Sequence, residues 1–229
     1  MALLSAKTIR KLSIALILFV VLSFVVNALI IFGFTPSSVD RETTTHQGIS
    51  VTRTEENLQA SGMLRIPAYG YVNVTSPESK IFLTESPEKS SAFYDMILSH
   101  EAFHLVQKEY IAEKSGGYPT LTNPVRTVKF LYNAWKLNNQ LEKAMPPVKE
   151  EKRNPFTSGL EASADCAAQD YAFADIYRRD RLLKERKSRG WYVEQECSPE
   201  QKKIVKDMVL NSSLKTKVID LSTFPFERQ

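Results

Sequence analysis

Two histidines and a glutamate stand close together in the segment ILSHEAFHLVQKEY, residues 97–110. His100 and His104 are four residues apart, and Glu101 directly follows the first of them. On a helix, side chains four residues apart differ by about 40° in direction, so both imidazoles can bind one metal ion. Glu101 points about 100° away from His100, which places its carboxylate beside the metal as a general base. The pattern predicts zinc, because imidazole ligands with an open position suit catalytic zinc.

A helix that merely happens to carry two histidines is the alternative interpretation of this segment. Three features count against it: the chain has only three histidines, the pair has the HExxH spacing, and apolar residues surround it. HExxH on a helix is the pattern of two zinc ligands with a glutamate base. The apolar residues that would bury the site are Ile97, Leu98, Phe103, Leu105 and Val106.

A third ligand must come from elsewhere, because no histidine follows His104. In GLEASADCAAQDYA, residues 159–172, Glu161 and Asp165 are four residues apart among small apolar residues. Two carboxylates among alanines are costly unless charged or hydrogen-bonding groups meet them, and a zinc ion with its imidazoles would do so. We therefore expect Glu161 to bind the metal and Asp165 to accept the outer N–H of a ligand histidine.

These two acidic residues also have a metal-free interpretation. Glu161 and Asp165 could face solvent on an ordinary amphipathic helix, where acidic pairs are common. Asp170 and Asp175 are competing third ligands. They lie farther along the chain than Glu161 and Asp165, toward Arg178, Arg179 and Arg181. Ion pairs with these arginines would account for them without a metal.

The charge of the chain argues against a nucleic-acid partner. Its 229 residues carry a formal charge of +4, from 30 basic and 26 acidic residues. Lys7, Arg10 and Lys11 precede one apolar segment, and removing these three leaves 27 basic residues against 26 acidic ones. No basic patch with interleaved aromatic residues and no zinc-finger spacing is present in the sequence. The basic run at residues 178–189 is typical of a solvated helical face.

The segment SIALILFVVLSFVVNALIIFGF, residues 13–34, predicts a membrane-spanning helix, since about 20 apolar residues cross a bilayer. A cleaved signal peptide is the alternative, but the stretch exceeds an ordinary signal core and lacks a small-residue cleavage site before Thr35. Basic flanks stay in the cytoplasm. We expect a single-pass membrane protein whose residues 1–34 form a cytoplasmic flank and signal anchor, with the remainder in the periplasm or outside the cell.

After the anchor, composition divides the chain into a tether and a domain. Residues 35–60, which include His46, are rich in serine, threonine, glutamate and glutamine, and predict a tether. Residues 61–229 would form the folded domain. MLRIPAYGYVNV (63–74) and KIFLTE (80–85) predict two or three short strands. Helical spacing follows, so the expected class is α+β, mostly α-helical, with a small N-terminal sheet.

Local signals place the expected helices. Gly116 and Gly117 would end the first helix, and Asn123 with Pro124 would begin the second. Ser198 followed by proline would begin the last. The expected ranges are 90–113, 124–144, 158–187 and 199–210.

The residues singled out above carry a resemblance to the zincin metallopeptidases whose third zinc ligand is a glutamate. HEAFHLVQ (100–107) with EASADC (161–166) is similar to the HExGHxxQ and ExxADC helices of bacterial neutral zinc metallopeptidases. Phe103 stands where that family usually has glycine, and Gln107 falls on the glutamine of the motif without an assigned role. The resemblance covers only these two segments.

The resemblance implies a zincin-like domain that hydrolyses peptide bonds by metal-activated water. It assigns zinc as the cofactor, with His100, His104 and Glu161 as ligands. Glu101 would be the general base and Asp165 the outer-shell partner of a ligand histidine.

Two expectations concern the substrate. A tyrosine hydroxyl could stabilise the developing oxyanion, and Tyr110, Tyr171 and Tyr177 are equal candidates. The strand IFLTE, residues 81–85, could bind an extended peptide by edge pairing, which would make the substrate a polypeptide.

Two further hypotheses compete with a peptidase. The first is a non-catalytic relative in which the metal site persists as a clamp; a glutamate base and an outer-shell aspartate argue against it, since a structural site needs neither. The second is a metal-free anchored interaction module, for which the basic run at residues 178–189 is the sole positive sign.

The chain has two cysteines, Cys166 and Cys197. An oxidising compartment would permit a disulfide between them, but spacing alone does not show that they meet. Cys166 would face about 140° away from Glu161 on a helix, which excludes it as a companion ligand.

Overall fold

The structure, a computed structural model, combines a small sheet with a largely helical remainder, which confirms the expected α+β class. It describes residues 42–46, 49–54, 58–59, 67–84, 91–145, 159–172, 197–216 and 219–220, together with 13–14, 17–23 and 25. Within these residues four α-helices follow the sheet, and a short 3₁₀ helix, Ser213–Thr216, comes after the last of them. Their bounds are α1 Ser91–Ser115, α2 Pro124–Ala144, α3 Gly159–Asp170 and α4 Pro199–Asn211.

The main sheet has four strands in the order β1-β2-β6-β5. β2 runs parallel to β6, whereas β1 and β5 run antiparallel to their neighbours. β5 is therefore an edge strand within the described part of the chain, and β6 is internal. Two small ribbons, β3-β4 and β7-β8, complete the strands. The bounds are β1 Glu42–His46, β2 Ile49–Thr54, β3 Leu58–Gln59, β4 Pro67–Ala68, β5 Gly70–Val72, β6 Lys80–Thr84, β7 Tyr171–Ala172 and β8 Ile219–Asp220.

The predicted tether at residues 35–60 is wrong where the structure describes it. Residues 42–46 and 49–54 form β1 and β2, and Ile49 and Val51 are buried in the core. The third histidine, His46, is the last residue of β1, where it pairs with Ile49 of β2. Threonine is polar but β-branched, so a threonine-rich segment can be strand-forming as easily as a linker. The remainder of 35–60, apart from β3, lies outside the described residues.

α1 is the central element of the helical layer. It packs against β5 and β6 and also contacts the other three helices. Leu98, Ala102, Leu105 and Val106 are buried in one core with the inward side chains of the sheet. Phe103, at the position where the HExGHxxQ pattern has glycine, belongs to the same core.

Most helix boundaries follow the local signals. The Asn123 side chain accepts a hydrogen bond from the Arg126 N–H at 3.0 Å and caps α2. Gly116 and Gly117 have positive φ angles of 77° and 122°, which end α1 without the strain that a side chain would bring. Ser198 caps α4 by accepting from the Gln201 N–H. These boundaries are confirmed.

The predicted long helix at 158–187 is wrong at its C-terminal end. α3 ends at Asp170, and the next two residues pair with β8 instead. Helical periodicity continues past this point in the sequence, but tertiary pairing decides the backbone there. Residues 173–196 lie outside the described part.

The predicted membrane span lies mostly outside the described residues. Its described parts are helical, and their large apolar side chains are exposed, as in Leu18 (63%) and Phe19 (68%). Among the helices that the structure describes, none combines the length and hydropathy that crossing a bilayer requires.

A buried lysine ties the sheet to α1. The Lys108 side chain is 1% exposed, and its ammonium donates to the carbonyl oxygens of Glu78 (2.5 Å), Ser76 (2.9 Å) and Asn73 (3.5 Å). These carbonyls belong to the turn between β5 and β6. Burial lowers the pKa of Lys108 to about 8, although the charges of Glu109 and Glu78 act in the opposite direction. Lys108 thus fixes the hairpin that carries the edge strand.

We expect Lys108→Met to lower the free energy of unfolding by about 1–3 kcal/mol, because the turn carbonyls lose a buried donor. Urea denaturation would measure the change. Lys114→Met is the matched control, since Lys114 is exposed on the same helix and its loss should change stability by less than about 0.5 kcal/mol. Equal effects of the two substitutions would show that the three carbonyl contacts contribute no stability.

Candidate metal centre

α1 and α3 together assemble the candidate metal centre. The helical spacing of α1 turns His100 and His104 to one side, where their ring centroids are 4.8 Å apart. The first turn of α3 brings Glu161 to the same point. His100, His104 and Glu161 each present a ligand atom within 4.8 Å of the others. The structure thus brings together the three residues that the sequence predicted as ligands.

The distances between these ligand atoms suit a tetrahedral zinc ion. His100 Nε2 lies 3.1 Å from His104 Nε2 and 3.2 Å from Glu161 Oε2, and His104 Nε2 lies 3.4 Å from Glu161 Oε1. Tetrahedral zinc with bonds of about 2.0–2.1 Å separates its ligand atoms by about 3.3 Å. The three residues therefore fit the ion both in chemical type and in spacing.

Asp165 fixes the orientation of His100. Its Oδ1 lies 2.9 Å from His100 Nδ1. An ionised carboxylate can only accept, so Nδ1–H donates, and Nε2 is the ring nitrogen directed at the ligand cluster. The hydrogen bond predicted from the four-residue spacing of Glu161 and Asp165 is present. The role of His100 as a metal ligand stays a prediction.

Gln107 fixes the orientation of His104, a role that sequence reasoning did not assign. Gln107 Oε1 lies 2.7 Å from His104 Nδ1, and its Nε2 donates to Leu160 O (2.9 Å) and Ser163 Oγ (2.8 Å). A backbone carbonyl only accepts, so these partners fix which end of the amide is nitrogen. Gln107 is buried, and it joins the first ligand helix to the second. Its spacing of three residues from His104 was the available signal.

We expect Gln107→Met to weaken zinc binding by about 10–100-fold, because His104 loses the partner that holds its tautomer and direction. Competition with a chromophoric chelator would measure the affinity. Gln140→Met on the exposed face of α2 makes the same chemical change away from the site and should bind zinc as the wild type does. Unchanged affinity in Gln107→Met would mean that packing alone orients His104.

α3 is held in place at both ends. At its N-terminus, the Leu160 N–H donates to Asn138 Oδ1 of α2 at 3.2 Å. Gly159 lies so close to the α2 backbone that a Cβ atom would collide with it. Near the C-terminus of α3, Cys166 and Cys197 form a disulfide with a Cα–Cα distance of 5.7 Å. The pairing left open by the sequence is therefore present, and it joins the ligand helix to the start of α4.

Glu101 lies between the ligand histidines and the edge strand. The residue is 7% exposed, and it packs directly over Gly70 of β5. A Cβ atom on Gly70 would stand 2.5 Å from Glu101 Cγ and 2.6 Å from its Oε1, so only glycine permits this approach. Burial raises the pKa of Glu101, and the charges of His104 and His100 offset part of the increase.

The carboxylates beside the two histidines favour positive charge on the imidazoles. Burial lowers the pKa of His100, but the hydrogen bonds to Asp165 and Glu161 outweigh it, so the pKa lies well above its usual value. The pKa of His104 is also raised, because Glu161 outweighs the effect of burial. Burial acts to raise the pKa of Glu161, yet the two histidines hold it well below its usual range. Protons on the two histidines offset the negative charge of the carboxylates, and a bound metal ion would supply positive charge in the same place.

The centre is open on the side of Glu161. The side chain of Glu161 is 49% exposed, whereas those of His100 and His104 are 15% and 12% exposed. A molecule from solvent can therefore reach the cluster past Glu161, while the histidines are enclosed by protein.

The competing ligands lie elsewhere or outside the described residues. Asp170 forms an ion pair with Lys202 of α4 at 3.4 Å. Asp175 falls outside the described part. Among the described residues, Glu161 therefore lies in the histidine cluster and Asp170 does not.

The tyrosines predicted to stabilise the oxyanion do not join the cluster where the structure describes them. Tyr110 lies beneath the Lys114 ammonium on another face of α1, Tyr171 is buried in the β7-β8 ribbon, and Tyr177 falls outside the described residues. Tyr71 of β5 is next to Gly70, and its pKa is raised by burial and then by the charge of Glu101. Its buried hydroxyl has no hydrogen-bond partner within the described part of the chain.

No protein-family model, curated protein or solved structure matches this chain.

Proposed function

We propose that the protein is a membrane-anchored, zinc-dependent peptidase of the zincin type. The observation that carries the proposal is the convergence of His100, His104 and Glu161 at tetrahedral spacing, with Glu101 buried beside them. A structural zinc site is usually closed by four protein ligands, whereas three ligands with an open side are typical of catalysis.

The proposed chemistry divides between the metal and the protein. Zinc, when bound, would polarise the scissile carbonyl and make water a better nucleophile near neutral pH. Glu101 accepts the proton of the attacking water and delivers it to the departing amine. Asp165 and Gln107 keep the Nδ1 protons of the histidines in place, so that both Nε2 atoms stay available for the metal.

A polypeptide substrate is supported by the edge strand rather than by the strand that the sequence suggested. β6, which contains most of IFLTE, is internal and has neighbours on both sides, so the edge-pairing prediction for it is wrong. β5 has one neighbour within the described residues, and its Gly70 lies against Glu101. An extended peptide that pairs with β5 would bring its backbone alongside the base.

The membrane part of the proposal rests on the sequence. Residues 13–34 provide the apolar length for a span, and the basic flank precedes it. The catalytic domain would then face the periplasm or the cell exterior. The disulfide agrees with such an oxidising compartment.

Metal analysis and a hydrolysis assay of the full chain in detergent together test the proposal. We expect about one zinc per chain, and cleavage of an unfolded protein substrate that a chelator abolishes and added zinc restores. Zinc without cleavage would indicate a non-catalytic metal-binding protein. Neither zinc nor cleavage would indicate a metal-free anchored interaction module.

A further inference from the structure

Exposed apolar side chains are concentrated on one face of α2. Outside the N-terminal apolar segment, the described chain exposes seven large hydrophobic residues, and five of them lie on this helix. We call these five the α2 stripe: Val125 (64% exposed), Val128 (66%), Leu131 (43%), Tyr132 (58%) and Trp135 (60%). The opposite face of α2 is buried through Phe130, Leu137 and Leu141. Soluble surfaces rarely collect aromatic and apolar residues in this way without a partner.

The residues beside the stripe are basic. Lys129 and Lys136 are seven residues apart, so they lie on one side of the stripe, and both are exposed. The only acidic residue of α2 is Glu142, near the C-terminus of the helix, where it accepts a hydrogen bond from Asn138. The exposed face therefore combines apolar, aromatic and cationic groups without an acidic one.

The length of the chain before the domain limits where this face can lie. The predicted anchor ends at Phe34 and β1 begins at Glu42. The seven residues between them, even when fully extended, span at most about 25 Å. A domain on so short a connection stays close to the bilayer, so part of its surface can meet the lipid headgroups.

We propose that the α2 stripe is that surface and that it docks on an anionic bilayer. Tryptophan and tyrosine prefer the membrane–water interface, where Tyr132 and Trp135 would lie at the headgroup level. Lys129 and Lys136 would contact acidic headgroups, and each lysine near such a surface contributes about a fivefold preference for it. The helix would lie in the plane of the interface with its buried face toward the domain.

A second copy of the chain fits the same face less well. Antiparallel pairing of two stripes would place the lysines of both copies on the same side of the contact, and α2 offers no acidic residue along the stripe to offset them. An anionic lipid surface satisfies both the apolar and the cationic groups.

Fluorescence of Trp135 tests the proposal in the full chain. The substitution Trp191→Phe leaves Trp135 as the single tryptophan. The chain is reconstituted into vesicles of phosphatidylcholine alone, or of equal parts phosphatidylcholine and phosphatidylglycerol, with brominated acyl chains that quench on contact. We expect most of the Trp135 emission to be lost in the mixed vesicles and much less in phosphatidylcholine.

Charge reversal supplies the matched comparison. Lys129→Glu with Lys136→Glu should restore the emission in mixed vesicles to the phosphatidylcholine level. Lys203→Glu with Lys206→Glu, at exposed positions of α4, makes the same change of charge and should leave the quenching intact. Sucrose flotation of the vesicles checks the anchor separately, because the inference depends on the anchor but not on peptidase activity.

Two outcomes would overturn the docking. Trp135 that stays unquenched while the chain floats with the vesicles would place α2 away from the bilayer. Unquenched Trp135 together with disulfide cross-linking of Val128→Cys between copies would identify a second copy as the occupant of the stripe.

Discussion

Replacing Glu161 with alanine is expected to remove zinc from the protein. Among the described residues, Glu161 is the only carboxylate whose oxygens lie within 3.4 Å of both ligand nitrogens, so its loss leaves two imidazoles to hold the ion. The fall in zinc affinity should exceed the roughly 100-fold that the loss of an outer-shell partner causes. Metal analysis after dialysis would show a chain without zinc, and hydrolysis would disappear with the metal.

The control for this experiment is Glu200→Ala. Glu200 occupies the first turn of α4 as Glu161 occupies the first turn of α3, and it is exposed. Glu200→Ala should keep both zinc and activity. If Glu161→Ala retains zinc while Asp170→Ala loses it, the third ligand has been assigned to the wrong residue.

Replacing Glu101 with glutamine should leave zinc bound but lower the rate of hydrolysis. The amide keeps the size and the polar contacts of the side chain but cannot accept a proton as a base. General-base catalysis contributes about 10²–10⁴-fold, so kcat should fall within that range while zinc stays at the wild-type ratio. Metal analysis and single-substrate kinetics on the same sample would measure both.

Glu113→Gln is the matched control, because Glu113 is an exposed glutamate of the same helix. It should alter neither zinc content nor kcat. Loss of zinc in Glu101→Gln would instead make Glu101 a ligand. Full activity without the carboxylate would remove the general base from the proposed chemistry.

Local chemistry made the candidate centre predictable from the sequence. His100 and His104 share a helix face by geometry alone, and the same rule linked Glu161 to Asp165. That the two pairs meet required a further argument: carboxylates among alanines need a partner. The contact between His100 and Asp165 confirms that argument. Gln107 received no role from the sequence, because two of its three partners lie on α3, 53 and 56 residues away.

The two wrong predictions of secondary structure, the tether and the long helix, have a common cause in long-range strand pairing. Residues 42–54 looked like a linker by composition, yet β2 pairs with β6 across about 30 residues and becomes an inner strand. The backbone after Asp170 was expected to be helical, but Tyr171 and Ala172 pair with residues near the end of the chain. Strand pairing depends on distant partners, and periodicity within one segment does not reveal them.

The bond between Cys166 and Cys197 encloses 30 intervening residues, among them the arginine- and lysine-rich stretch at 178–189. A single cut in this stretch by a trypsin-like enzyme would leave two fragments joined by the disulfide. The longer fragment would carry His100, His104 and Glu161, and the shorter would carry α4. On a gel without reductant the nicked protein would therefore migrate near the intact one, and only reduction would separate the pieces. A preparation that looks whole under those conditions can already have lost its chain continuity while keeping His100, His104 and Glu161 on one fragment.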